Sequence, residues 1–289
     1  MWCEPQKILI TGGTGSLGHA LLDQLDGERV SVLSREELKQ KQTKQRYAAV
    51  RFFLGDVKNF ADVDRVISKV KPTVVFHLAA QKHVDIAEEN PDECIAVNLL
   101  GAQNVAECCH NHGVAYAVFT STDKAVLPIN LYGMCKGAAE KYWLEMNRDS
   151  DTHFSVFRWG NVCGSRGSVI HSFARSLKDE GTIRLTDISM TRFWIHLEDV
   201  ARFMIDNYET APDDKALIPP MKASPVICLA KAVARHLGVS TFDIDTIGIR
   251  RGEKYHECLW SEHDKCLRSD TAEQFTDDEL DQLVARVLC

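Results

Sequence analysis

The chain has 289 residues, 45% hydrophobic and 26% charged, which is ordinary for a globular protein and enough for one large core or two closely joined lobes. Its formal net charge of −7 argues against nucleic-acid binding through a general basic surface, so an anionic ligand needs a local cluster of Arg and Lys. No apolar run approaches the ~20 residues that span a bilayer, and no secretory pattern opens the chain. Ten scattered cysteines without a Cys-x-x-Cys pair read as reduced thiols of a cytoplasmic protein.

Residues 7–10 form a short apolar strand pattern that runs into a glycine turn at 12–18, and 19–25 reads as a helix. Strand patterns follow at 29–33 and 51–54, a helix at 62–70, a strand at 73–78 and a long helix at 91–110. A strand at 116–121, a helix at 132–146 and a strand at 154–158 close the series. This alternation predicts right-handed crossovers and an α/β fold with a parallel, doubly wound sheet of the Rossmann type. The strands are apolar throughout, as expected when helices cover both faces. Residues 211–225, with four prolines, read as a connection between lobes, and 276–288 as an acidic amphipathic helix. Cys108, Cys109, His110 and His112 fall at a helix end where consecutive residues point apart. Closed zinc sites draw on two separated ligand pairs, so buried thiols are the better reading and no metal is expected.

The first strand leads into Gly12, Thr14, Gly15, Ser16, Leu17 and Gly18. Glycines three apart between a strand and a helix suit a pyrophosphate: the first allows the turn, the second close approach, the third helix–strand packing. The second strand ends at Ser34 and Arg35, with Lys39 one helical turn beyond, where a site for NAD would place an acid. A hydroxyl and two cations suit a 2′-phosphate, which favours NADP; a solvated charged helix, given Glu36 and Glu37, is the alternative. Asp56 and Val57 would frame the adenine, and Ala79 and Ala80 are small enough for a cofactor to lie against the backbone. Lys82 and Asn98 complete the cofactor candidates.

After the fifth strand come Thr122, Asp123 and Lys124, then Tyr132 and Lys136. Tyr132 and Lys136 are four apart and share a helical face, so the ammonium favours phenolate and the phenol can take a proton from a hydroxyl as hydride leaves the same carbon. Asp123 and Lys124 add an adjacent acid and base, which is what removing a proton from one carbon and protonating a leaving hydroxyl on the next requires; a loop ion pair is the alternative.

These motifs recur together. The glycine turn, Ser34-Arg35 with Glu37 to Gln40, Leu78-Ala79-Ala80 with Lys82 to Val84, and Ser121 to Ala125 occur in order. Asn130-x-Tyr132-Gly133-x-x-Lys136, Arg158-x-Gly160-Asn161 with Gly164 to Val169, Met190 to Ile195 and Gly248 to Lys254 follow. The set resembles the extended short-chain dehydrogenase/reductase family of the polysaccharide-biosynthesis type, and within it the inverting UDP-N-acetylglucosamine 4,6-dehydratases, over roughly residues 7–262. The resemblance implies a soluble homo-oligomer with a UDP-sugar substrate. Tyr132 with Lys136 would oxidise C4, Lys124 would take the C5 proton, Asp123 would protonate the departing C6 hydroxyl, and Thr122 would bind the C4 oxygen. It also implies a domain at 1–162, to which 196–210 return, holding NADP, and a lobe of 163–195 and 211–289 holding the sugar nucleotide. There the substrate candidates are Lys82, His83, Thr122, Asn161, Gly167, Ser168, Val169, Arg175, Thr186, Met190, Arg192, Arg250 and Glu253. Two departures stand out: Arg251 where the family usually has proline, and Gly137 where a larger apolar residue is common. A UDP-sugar epimerase or reductase, or a silent NADP-binding module, remain alternative readings of the same residues.

Overall fold

The computed structural model describes residues 6–263 and 265–288, so Met1 to Pro5, Asp264 and Cys289 lie outside the description. Six apolar stretches make the central sheet: β1 (Ile8–Thr11), β2 (Val30–Ser34), β3 (Arg51–Leu54), β4 (Val74–His77), β5 (Tyr116–Thr122) and β6 (His153–Trp159). Their order is β3-β2-β1-β4-β5-β6 and every neighbouring pair is parallel. The strand order reverses between β1 and β4, which opens a crevice at their carboxyl ends. All residues of β1, β2 and β4 are buried, whereas Arg51 and Leu54 at the ends of edge strand β3 are exposed.

The helices between the strands are α1 (Ser16–Leu22), α2 (Glu37–Arg46), α3 (Phe60–Val70), α4 (Val84–Glu89), α5 (Pro91–Ile95), α6 (Gly101–Asn111) and α7 (Leu131–Glu145). The first helix starts inside the glycine turn, three residues earlier than its apolar pattern suggests, so its free amide ends face the crevice. The long helix expected at 91–110 carries a π-helical turn at Ala96–Leu100 between α5 and α6. That turn buries Asn98, whose amide both accepts from Gln81 N and donates to Gln81 O at 2.9 Å, fixing the loop that leaves β4. Cys108 and Cys109 point into the core, His110 meets Ser150 at 2.8 Å, and His112 meets Asp64 at 2.7 Å.

The second half continues with β7 (Asn161–Cys163), α8 (Val169–Glu180), β8 (Thr182–Leu185), β9 (Thr191–His196) and α9 (Leu197–Asn207). Then come β10 (Lys222–Pro225), α10 (Val226–His236), β11 (Asp243–Thr246), β12 (Cys258–Glu262), β13 (Lys265–Arg268) and α11 (Asp277–Leu288). Strands β10, β9 and β7 form one small sheet, and β11 with β8 and β12 with β13 form two ribbons. Val200, Ala201 and Met204 of α9 join the core on one face of the central sheet with Ile10, Leu21 and Phe76. A separate core holds Phe173, Leu177, Trp194, Leu229, Val233 and Leu283. The proline-rich connection is more than a linker: Leu217 bridges to Phe157 at the sheet edge, and its last four residues are β10. Among the described residues no helix is long and apolar enough to cross a membrane.

Candidate active site

A cleft of about 1330 Å³ opens at the carboxyl ends of the central strands and is lined by residues of both halves of the chain. Its floor is the glycine turn. Gly12 has φ +70°, and a Cβ there would stand 2.7 Å from Ala79 N; a Cβ on Gly18 would stand 2.2 Å from Gly13 O. Both glycines are therefore obligatory, and they bring Thr14, Gly15, Ser16 and Leu17 to the cleft wall. Ser34, Arg35, Lys39, Asp56, Val57, Ala79, Ala80 and Lys82 line the same end. Arg35 and Lys39 are not free cations: Arg35 meets Glu93 at 2.8 Å, and Lys39 meets Glu36 at 2.7 Å. Glu93, on α5, was not foreseen from the sequence because nothing in its local pattern ties it to β2. Gln40 donates to Ser34 O, Ser34 Oγ and Phe53 O, which clamps the end of β2 to β3. Asn98 lies behind this wall and supports it through Gln81 rather than facing the cleft.

The loop after β7 folds over the glycine turn. Arg166 N donates to Ser16 Oγ at 2.9 Å, its guanidinium donates to Thr14 O, and Lys82 Nζ donates to Arg166 O at 3.1 Å. Gly164 and Gly167 have φ +85° and +75°, so the loop makes two left-handed bends. Arg166 is the second residue that sequence reasoning missed; the motif around it was visible, but its direction was not.

Asp123–Ala125 form a single 3-10 turn at the end of β5, capped by Thr122. Thr122 Oγ1 accepts from Lys124 N and donates to Asp123 Oδ1 at 3.0 Å, and Lys124 Nζ stands 3.0 Å from the same carboxylate oxygen. This turn rests on α7, where a Cβ on Gly133 would stand 2.1 Å from Lys124 O and one on Gly137 3.0 Å from Ala125 O. The departure at Gly137 thus has a structural reason: the acid–base turn packs directly on the helix that carries Tyr132 and Lys136. Asn130 caps that helix by accepting from Gly133 N at 2.7 Å.

Asp123 is fully buried; burial raises its carboxyl above the usual range, and the Glu257 charge raises it further against Lys124. Burial would lower Lys124, but the carboxylates of Asp123 and Glu257 hold its ammonium above the usual lysine range. Burial pushes the Tyr132 phenol up to about 12, and the cation that opposes this rise is Lys124. Lys136 was expected in that role. Its Nζ instead lies 3.9 Å from the centre of the Phe119 ring, and burial brings its ammonium down to about 7. The ring face attracts the cation and works against that fall. Tyr132, Thr122, Lys124 and Lys136 line the cleft; Asp123 lies just behind Lys124.

Of the substrate candidates, Lys82, His83, Asn161, Gly167, Ser168, Val169, Thr186, Met190, Arg192, Arg250 and Glu253 line the cleft with Thr122. Arg175 does not. On α8 the cleft-facing positions are Val169, Ser172, Phe173 and Ser176, and Arg175 is exposed on another face of that helix. Arg192 is buried, its guanidinium held by Thr191 O at 2.8 Å and Tyr255 O at 3.1 Å. Gln81 Oε1, Ser121 Oγ, Asn161 Oδ1 and Ser168 Oγ are buried without hydrogen-bond partners among the described residues, and all four residues line the cleft. Such polar atoms, with the glycine floor, fit a dinucleotide and a polar substrate.

The family described as polysaccharide biosynthesis protein matches residues 8–278. The inverting UDP-N-acetylglucosamine 4,6-dehydratase of Campylobacter jejuni is 42% identical over 274 residues, covering 91% of this chain and 79% of that relative. A UDP-glucose 4-epimerase of Rickettsia canadensis is 36% identical, covering 93% and 82%. Among solved structures, Pen from Bacillus thuringiensis superposes with a TM-score of 0.89 at 30% identity, over 99% of this chain and 100% of that one. DesIV, a dTDP-glucose 4,6-dehydratase from Streptomyces venezuelae with NAD bound, reaches 0.79 at 20% identity over 96% of both chains, a likeness of fold. With its parallel six-stranded sheet, its glycine turn and a match over nearly its whole length, the chain belongs to the polysaccharide-biosynthesis family of extended short-chain dehydrogenases/reductases.

Proposed function

We propose that the chain is an NADP-dependent 4,6-dehydratase of a UDP-sugar, UDP-N-acetylglucosamine being the substrate named for its 42% identical relative, with inversion at C5. The observation that carries this reading is the Asp123–Lys124 pair, 3.0 Å apart, with Lys124 on the cleft wall beside Tyr132 and Thr122 and Asp123 buried just behind it. A nicotinamide ring supplies a hydride acceptor and donor; everything else falls to side chains. Tyr132 Oη first gives up its own proton to solvent, then as phenolate takes the C4 hydroxyl proton while Thr122 Oγ1 orients that oxygen. The 4-ketone acidifies the C5 proton, which passes to Lys124 Nζ. For Lys124 to be a free amine at that moment, its own proton must cross the 3.0 Å contact to Asp123. That crossing makes Asp123 the acid that the C6 hydroxyl needs, so one proton shift arms both groups. The raised Asp123 carboxyl favours the crossing, and the raised Lys124 ammonium opposes it, so the balance between the two decides where the proton rests. With the hydride returned to C6, protonation of C5 on the opposite face gives the inverted 4-keto-6-deoxy product.

Arg35 and Lys39 support NADP over NAD, provided that a 2′-phosphate draws them from Glu93 and Glu36. The packing of α9 on the central sheet and the separate second core support a cofactor domain of 1–162 with 196–210, and a sugar-nucleotide lobe of 163–195 with 211–289. A homo-oligomer in the cytoplasm completes the reading.

Incubation with UDP-N-acetylglucosamine and NADP+ is expected to give a product lighter by one water, with its C5 configuration inverted by proton NMR; Lys124→Ala is expected to stop water loss. The 36% identity to a UDP-glucose 4-epimerase favours a second reading, C4 epimerisation, in which the mass stays constant. A product of unchanged mass would replace the first reading by the second, and cofactor binding without any sugar-nucleotide turnover would remove both.

A further inference from the structure

Lys124 has a second carboxylate partner from a distant part of the chain. Glu257 Oε1 stands 3.2 Å from Lys124 Nζ, and Glu257 is only 2% exposed. Its other oxygen has no hydrogen-bond partner among the described residues and stands 3.6 Å from Lys254 Nζ. A buried carboxylate is costly unless paired and hydrogen-bonded, and this one is kept half-satisfied beside a reacting group.

Its position is built, not incidental. Glu257 N donates to Ser269 Oγ at 2.9 Å, and that fully buried hydroxyl meets Thr191 Oγ1 at 2.7 Å, next to Arg192. Lys254 Nζ donates to Val126 O at 2.7 Å, and Asn130 Nδ2 donates to Gly252 O at 2.7 Å. Gly252 has φ +81°, and a Cβ there would stand 2.9 Å from Asn130 Cβ. The loop that carries Arg250 and Glu253 into the cleft is thus clamped at three points onto the segment from the acid–base turn to the cap of α7, one of them the Lys124–Glu257 pair.

We propose that Glu257 is a positioning residue for the elimination step: its buried carboxylate fixes Lys124 Nζ between two anions and sets whether the shared proton rests on Lys124 or on Asp123. This rests on the dehydratase reading for what Lys124 does, but not for the charge coupling itself. The charged and titratable groups around Lys124 are Asp123 on its own turn, Glu257, Lys254 beyond it, Arg192 of β9 and Tyr132 of α7. The two carboxylates hold the proton on Lys124, and Arg192 opposes them.

The test has two arms. In the first, the Lys124 ammonium is titrated in the whole protein by NMR with lysine labelled at Cε and Nζ. Glu257→Gln, similar in size but neutral, is expected to lower its midpoint by roughly one pH unit or more, the range that losing one close opposite charge gives. Glu257→Asp keeps the charge and is expected to stay nearer the original protein. A Lys124 midpoint unchanged in Glu257→Gln overturns the proposal, whatever the substrate proves to be. In the second arm, solvent deuterium incorporation at C5 of UDP-N-acetylglucosamine is followed against pH. Glu257→Gln is expected to lower kcat about tenfold or more with little change in KM and to move the acidic limb to lower pH. A drop in rate with the limb unmoved, restored by neither variant, would mean a merely structural carboxylate and would also overturn it. A normal first arm with no turnover by the unaltered protein would instead fault the dehydratase reading alone.

Discussion

Lys136 shows how much one buried amine can cost. Its surroundings are the face of Phe119 and the interior of α7, and no carboxylate lies within ion-pair distance of it among the described residues. An ordinary lysine titrates at 10.5, and burial brings this one down to about 7. Between those values the unfolded chain holds a proton that the native state lacks, so stability rises with pH across that window. Below pH 7 the native state carries a buried ammonium and the penalty is complete. Lys136→Met keeps the apolar stem and removes the charge. It is expected to stabilise the fold by about 1–3 kcal/mol at pH 6, with the gain shrinking as pH climbs from 7 towards 10.5, while turnover is lost. Thermal melting of both proteins at pH 6 and pH 9 checks this; equal gains at both values would deny the buried charge. Tyr132 presents the complementary case. Its phenol sits well above neutral, so the resting site holds it protonated, and Tyr132→Phe is expected to lower kcat by about a hundredfold or more, as loss of a general base does. Stopped-flow measurement of hydride transfer to the nicotinamide cofactor reads that directly.

At the level of elements, α7 carries the most. It bears Tyr132 and Lys136, and its two glycines form the groove on which the Thr122–Ala125 turn lies. Gly133→Ala puts a methyl group 2.1 Å from Lys124 O, which neither backbone can absorb without moving. The variant is expected to lose about 1–3 kcal/mol of stability and most of its turnover, since the turn must lift away from the helix. Urea unfolding together with the mass assay distinguishes this from a loss of catalysis alone. The sequence shows such a helix plainly, as it shows β1, β2, β4, β5 and β6, because apolar runs between turn signals are what buried strands and their covering helices need. Other elements were not legible. The α2 segment is almost wholly polar, with only Thr43 buried, so it carries no periodic signal. The π turn at Ala96–Leu100 shifts the face of one continuous helix, and no local residue preference announces it. At the site, motif residues that face the cleft were visible as motifs. Glu257, Glu93 and Arg166 were not, because each acts across the fold on a residue that only the tertiary structure brings near. Arg175 erred the other way: it is a suitable residue type on a helix face that turns from the cleft.

Over the whole molecule, the two halves meet where the chemistry is. The central sheet contributes the glycine floor and the Tyr132–Lys136 helix, and the second half contributes Glu257, Arg192 and the loop bearing Arg166. Arg166 joins the glycine turn through Thr14 O and Ser16 Oγ, while Lys82 holds the same loop from the β4 side. Arg166→Ala removes the guanidinium contact and is expected to weaken NADP+ binding about tenfold, with the sugar-nucleotide KM moved less. Isothermal titration of coenzyme-stripped protein with NADP+ measures this, and an unaltered affinity would leave the loop without a role in cofactor retention. The strap, hydrogen-bonded to the floor itself, closes one side of the place where a dinucleotide would lie. In a cycle that hands the hydride back to the molecule it came from, nothing has to depart: the enzyme is its own recycling partner, and protein taken from cells should arrive already charged with the coenzyme, indifferent to the supply outside.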